Sequence, residues 1–209
     1  MMIIVGGVLT ATAVTAGMWY YLTPKYSRVG YQPIQPVAFS HAIHVDQLGF
    51  DCRYCHNAVE KSWYSNIPSS STCMNCHSQV LKDDPRLALV RQIAETGQPI
   101  PWVQIHRVPD FVYFNHSVHV NRGVSCVECH GQINKMDEVY EVKPLSMTFC
   151  LDCHRDPSSK LRPLDKITDL GWKWSDNPTA NAELQKKNGE KFVHDWHVQS
   201  LQNCSACHR

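Results

Sequence analysis

From Met2 to Leu22 the chain carries no charged residue. At about 1.5 Å per residue, a helix of that length crosses a hydrocarbon core of roughly 30 Å. Trp19, Tyr20 and Tyr21 close the run where a spanning helix meets the interface, and Pro24 stops it. The pattern predicts one N-terminal transmembrane helix. A cleaved signal peptide is the rival reading, with Ala11, Ala13, Ala16 and Gly17 as its small residues, but the run is longer than a signal core. Gly7 and Ala11, then Ala13 and Gly17, are small residues four apart, a spacing that lets helices approach closely.

Beyond the run, apolar periodicity is sparse. Asp84-Pro85 opens and Gly97 closes a short helix with Leu87, Val90, Ile93 and Ala94 on its buried side. A second is predicted from Asn181 to Gly189, and Asp137 to Val142 alternates like a brief strand. Loops account for the rest. Hydrophobic residues make up 43% of the 209 and mean hydropathy is −0.33. With so many apolar residues in the first segment, the remainder lacks the aliphatics for a large core, so something other than side chains must fill the interior. A net charge of +1 without a clustered basic patch excludes nucleic-acid binding.

The cysteines supply the missing interior. All ten fall into Cys-x-x-Cys-His: Cys52 and Cys55 before His56, Cys73 and Cys76 before His77, Cys126 and Cys129 before His130, Cys150 and Cys153 before His154, Cys204 and Cys207 before His208. This is the c-type haem attachment signature. Two thiols three positions apart reach the two vinyl groups of one porphyrin edge, and the next residue offers imidazole to the iron. Zinc sites also use Cys-x-x-Cys but have no need of a histidine directly after it. Disulfides leave the five histidines unexplained. Five covalently bound c-type haems are expected, numbered here as sites 1 to 5 in chain order. Each ferric bis-histidine haem adds about one negative charge, which brings the oxidised protein to about −4 and favours cationic partners.

A longer repeat supplies further ligands. Phe39-Ser40-His41-Ala42-Ile43-His44-Val45 recurs as Phe114-Asn115-His116-Ser117-Val118-His119-Val120 and as Phe192-Val193-His194-Asp195-Trp196-His197-Val198. On a helical turn, residues three apart share a face, so the two histidines of one copy serve two different irons. Five irons need five distal ligands. His41, His44, His106, His116, His119, His194 and His197 offer seven, and Met147 is a weaker candidate. The expected organisation is an anchor (1–24), a linker (25–38), a dihaem module (39–80), a connecting helix and loop (81–113), a second dihaem module (114–155), a linker with a short helix (156–191) and a monohaem module (192–209). The fold class expected is mostly irregular with short α-helices.

Phe114-Asn115-His116-Ser117-Val118-His119 followed by Cys-x-x-Cys-His resembles the cytochrome c3 and c7 family. That resemblance implies that His41, His116 and His194 serve the haems at His56, His130 and His208, with His44, His119, His197 and His106 competing for the other two. Over nearly the whole chain, four features resemble the pentahaem cytochrome c component of alternative complex III: the single anchor, Asn66 to Thr72, Trp102 to Phe111, and Pro144-Leu145-Ser146-Met147. This second resemblance raises His106 as a ligand. It implies a bacterial membrane respiratory complex that oxidises quinol, in which the donor is an iron–sulfur subunit, other integral membrane subunits bind quinol, and the acceptor is a monohaem cytochrome c or terminal oxidase.

Haem attachment takes place outside the cytoplasm, so the expected location is the bacterial cytoplasmic membrane with the haem domain on the periplasmic side. Charge bias points the other way, because Lys25 and Arg28 follow the apolar run and no basic residue precedes it; the site of haem attachment takes precedence. An electron conduit is the expected function. The competing readings are a multihaem reductase, which needs an open iron position that the ligand surplus disfavours, and a stand-alone quinol dehydrogenase, for which a lone uncharged helix is a poor pocket.

Overall fold

In the computed structural model the described residues are 2–22 and 28–208, with side chains from residue 4 onward; Pro24 and Lys25 lie outside them. The helices are α1 (Met2–Leu22), α2 (Cys52–Cys55), α3 (Ser70–His77), α4 (Ala88–Thr96), α5 (His116–Val120), α6 (Val127–His130), α7 (Met147–Arg155), α8 (Pro178–Asp195) and α9 (Cys204–Cys207). A π-helical turn at Ala42–Gln47 stands where the second module has α5. Among the described residues there are no strands, only two isolated antiparallel bridges, Val112 with His208 and Val124 with Leu161.

α1 is uncharged, and its side chains are exposed almost throughout. Taken over the described residues, no helix is long and apolar enough to cross a membrane.

The helix expected between Asp84 and Gly97 is present. The Asp84 side chain accepts from the Arg86 N–H, Pro85 opens a 3₁₀ turn that runs into α4, and Gly97 ends it with φ 70°. α4 buries Val90 and Ile93 in a cluster with Val37 and Ile100, against which Cys73, Met74 and Trp102 pack. This apolar contact fixes α3, and with it the second cysteine pair.

Two expectations are corrected. Asp137 to Val142 is not a strand. Its neighbour is the segment before the first module, and only two backbone bonds form, from the Gly30 N–H to the Glu141 carbonyl and from the Glu141 N–H to the Tyr31 carbonyl. One such pair is too little for a ladder. The helix expected to close at Gly189 instead runs from Pro178 to Asp195, because Gly189 is a packing position rather than a stop. A Cβ there would overlap the Ser158 carbonyl, so only glycine lets α8 lie against the turn at Pro157–Ser159. Gln185 secures the contact by donating to the Ser158 and Leu161 carbonyls.

Nine hydrophobic side chains are buried among the described residues, few for a chain of this length. A further buried element is ionic. Glu141 is 1% exposed and pairs with Arg28 at 3.3 Å, while Arg28 also donates to the Gln104 and Ile105 carbonyls. The segment expected as a linker is thus docked on the body of the protein from Arg28 onward.

Candidate haem-attachment sites

Each cysteine pair sits on one helical turn, and local capping explains why. Asp51 accepts from the Arg53 N–H before α2, Ser146 from Phe149 before α7, and Asn203 from Ala206 before α9. One turn places thiols three residues apart on the same side. Backbone bonds from the N–H groups of His56, His130 and His208 to the carbonyls of Cys52, Cys126 and Cys204 then carry each histidine round beneath its pair.

Six of the twelve candidate histidines share a second feature. Nδ1 contacts a backbone carbonyl in His44 (Ser40, 2.8 Å), His56 (Asn66, 2.7 Å), His77 (Val80, 2.9 Å), His116 (Trp63, 2.8 Å), His119 (Asn115, 2.7 Å) and His197 (His194, 2.9 Å). A carbonyl only accepts, so Nδ1 carries the proton and the Nε2 lone pair is left for a metal. Such carbonyl contacts orient ligand imidazoles in metal sites generally.

Two ring pairs test whether a haem iron fits. A metal–imidazole bond is about 2.0 Å and a ring nitrogen lies about 1.1 Å from its ring centre, so imidazoles on opposite sides of one iron have centres about 6.2 Å apart. The centres of His44 and His77 are 6.2 Å apart, and those of His119 and His154 are 6.1 Å apart. The same pairing occurs in both modules: the second histidine of the repeat faces the histidine of that module's second Cys-x-x-Cys-His. The residues fit the group.

The first histidines gather elsewhere. His41, His56, His106, His116 and His130 form one buried cluster between sites 1 and 3. Burial, with a smaller effect of neighbouring histidines, lowers the pKa of His41, His116 and His130 below the ordinary imidazole value. Burial holds His41 and His106 down to about 4 and His130 to about 3, so all three are neutral near neutral pH, the form in which imidazole binds metal. The rings of His106 and His130 are 4.3 Å apart, too close for an iron between them. Yet His106 Nε2 is buried without a hydrogen-bond partner among the described residues.

The phenylalanine that opens the repeat has a function the sequence pattern did not assign. Phe39 stacks on His44 (4.5 Å) and meets His41 edge-on (4.9 Å); Phe114 does the same to His119 and His116, both at 4.8 Å. Its recurrence in all three copies was the available signal. In the third copy Phe192 instead stacks on Trp196 at 4.2 Å, the His194 side chain is 88% exposed, and His197 takes φ 53°. That copy lies at the end of α8 and does not repeat the geometry of the other two. Met147 is exposed at the start of α7, one turn before Cys150.

Aromatic and aliphatic side chains beside the pairs suit a flat apolar ring: Tyr54, Trp63, Tyr64 and Ile67 flank site 1, and Phe111 and Tyr113 approach site 5. Burial pushes the Cys129 thiol up to about 12.

A family model described as cytochrome c7 and related cytochrome c matches residues 37–95 and 112–188, well over half the chain. A curated protein from Nitratidesulfovibrio vulgaris (strain Hildenborough), described as the multiheme cytochrome c subunit of menaquinone reductase, is 35% identical over 119 residues, which are 56% of this chain and 54% of that protein. The chain therefore matches about half the length of that relative.

Proposed function

The chain belongs to the family of cytochrome c7 and related cytochromes c, and from that premise we propose that it is a membrane-anchored pentahaem relay within a quinol-linked respiratory complex. That it is a multihaem electron-transfer cytochrome follows from the family. The observation that best supports the relay is the imidazole pairs, His44 with His77 and His119 with His154, at the ring spacing of two axial ligands.

Bound haem supplies a reversible one-electron couple at each site. The protein would supply two axial side chains per iron, so that no position is left open for a substrate. His56, His77, His130, His154 and His208 are the proximal ligands in this reading. His44 and His119 are the distal ligands of sites 2 and 4. The distal ligands of sites 1 and 3 come from His41, His116 and His106, and that of site 5 from His194, His197 or Met147.

The anchor in this reading is α1, counted with the apolar Met2 and Ile3 of its first turn. The haem domain then lies on the outer face of a bacterial cytoplasmic membrane. An iron–sulfur subunit, integral quinol-binding subunits and a monohaem cytochrome c or oxidase are the partners, as in alternative complex III. The name of the relative, menaquinone reductase, supports a quinone-linked membrane complex and favours a second reading in which electrons run toward menaquinone.

The test is purification from native membranes in mild detergent. It identifies the companion subunits and measures both quinol-dependent haem reduction and quinone reduction by the reduced complex. Five haems should survive acid-acetone extraction of the denatured chain, read by intact mass. A high-spin ferric signal lost on adding nitrite or cyanide would replace the relay by a reductase. Release of a chain lacking residues 1–24 into the soluble periplasmic fraction would support the anchor, and its persistence in the membrane would count against it.

A further inference from the structure

The two dihaem modules contact each other through matched positions. Ala42 and Ser117 each follow the first histidine of the repeat; Met136 and Ser62 are each the sixth residue after a Cys-x-x-Cys-His histidine. The Ala42 N–H donates to the Met136 carbonyl at 3.1 Å, and the Ser117 N–H to the Ser62 carbonyl at 3.1 Å. A second matched pair lies alongside. The Asn134 side chain donates to Asp46 at 3.1 Å, and the Asn121 side chain to the Glu60 carbonyl at 2.9 Å; Asp46 and Asn121 are equivalent in the repeat, as are Asn134 and Glu60. Each module thus lays its histidine turn on the segment that follows the other module's first attachment site. Such reciprocity is the mark of a two-fold relation, in which patch i meets j and j meets i.

The remaining sites follow outward from this centre. His44, three residues from His41 on one turn, lies by His77 of site 2, and His119, three residues from His116, lies by His154 of site 4; the Ser200 hydroxyl donates to the His154 carbonyl and the Tyr113 N–H to the Cys207 carbonyl, which sets site 5 on the side of site 4. The opposite arrangement, with sites 2 and 3 adjacent, has no support in the packing: α3, which carries site 2, is held instead by the cluster around Val90 and Ile93. Two cysteines are exposed, Cys76 of site 2 and Cys204 of site 5.

We infer that the modules form a pseudo-two-fold pair with sites 1 and 3 at the axis, so that the five attachment sites follow one another in space as 2, 1, 3, 4, 5. The inference rests on the haem reading above. It makes sites 2 and 5 the two ends of the array. Site 5 has no counterpart beyond site 2, so the fifth haem extends the array on one side only.

The test needs no substitution. Iron positions are read from a cryo-electron microscopy map of the haem-loaded chain in its native complex, with each iron assigned by the cysteines to which its porphyrin is joined. The expected result is that the irons of sites 1 and 3 form the closest pair between the two modules, and that sites 2 and 5 each have a single near neighbour. An iron at site 2 nearer to site 3 than the iron at site 1 overturns the order. If the same sample holds five low-spin haems, that failure leaves the relay reading standing. A sample without covalent haem overturns both.

Discussion

The Trp63 carbonyl, in the first module, accepts a hydrogen bond from Nδ1 of His116, in the second, at 2.8 Å across 53 positions of sequence. The tautomer of a candidate ligand in one module is thereby set by the backbone of the other. Nδ1 holds its proton on that carbonyl, which leaves the Nε2 lone pair for a metal. Replacing His116 by alanine removes an axial ligand but no thioether. The expected outcome is full haem content with one of the five haems converted to the high-spin ferric state, measured by electron paramagnetic resonance. Unchanged spin state would remove His116 from the ligand set.

His44→Ala and His119→Ala should each do the same at sites 2 and 4, because each ring faces one other imidazole at the two-ligand spacing. Since a histidine–methionine haem has a raised potential, His44→Met should shift one redox titration step upward and leave the other four in place. A downward shift, or movement of several steps together, contradicts the pairing.

Asp51 caps α2 and accepts from Arg53 and Thr168, contacts that tie site 1 to the segment after site 4. The Arg53 hydrogen bond holds its carboxyl down to about 2, below the ordinary 3.8. A carboxyl depressed on folding stabilises above its unfolded pKa, and that contribution is lost as pH falls through the folded one. Asp51→Asn should therefore be less stable than the parent above about pH 4 by up to about 1 kcal/mol, a value kept low by the half-exposed setting. The difference should vanish toward pH 2. Thermal denaturation across that range reads it, and a gap that widens on acidification would refute the assignment.

Gly189→Ala places a methyl group on the Ser158 carbonyl. Overpacking of this kind costs about 1–3 kcal/mol. The affected element is α8 with the turn at Pro157–Ser159, so limited proteolysis should cut first between residues 156 and 195, while haem content stays at the parental level. Equal protease resistance would show that the contact yields without cost.

With nine buried hydrophobic side chains among the described residues, the polypeptide alone has little apolar burial to offset its chain entropy. Chain produced without haem attachment should show weak far-ultraviolet dichroism and no cooperative melting. A cooperative transition in haem-free material would mean that side-chain packing suffices.

The attachment sites were legible in sequence because their chemistry is local. A thioether pair and the next histidine occupy one helical turn, and nothing distant is needed to bring Cys52, Cys55 and His56 together. The helix between Asp84 and Gly97 was legible for the same reason, its cap and its left-handed stop being written in adjacent residues. The histidine repeat announced that ligands exist, and its spacing required that the two histidines of one copy serve different irons. It did not say which irons. The facing of His44 to His77 and of His119 to His154, the gathering of first histidines between sites 1 and 3, and the divergence of the third copy on α8 depend on contacts between segments tens of residues apart. Asp137 to Val142 and Gly189 mislead for that reason: alternation makes a strand only where a ladder partner exists, and glycine ends a helix only where nothing packs against it. What the tertiary structure alone decided is the order in space. Order arises from matched surfaces, Ala42 on Met136 and Ser117 on Ser62, whose complementarity appears only once both modules have folded around their own sites.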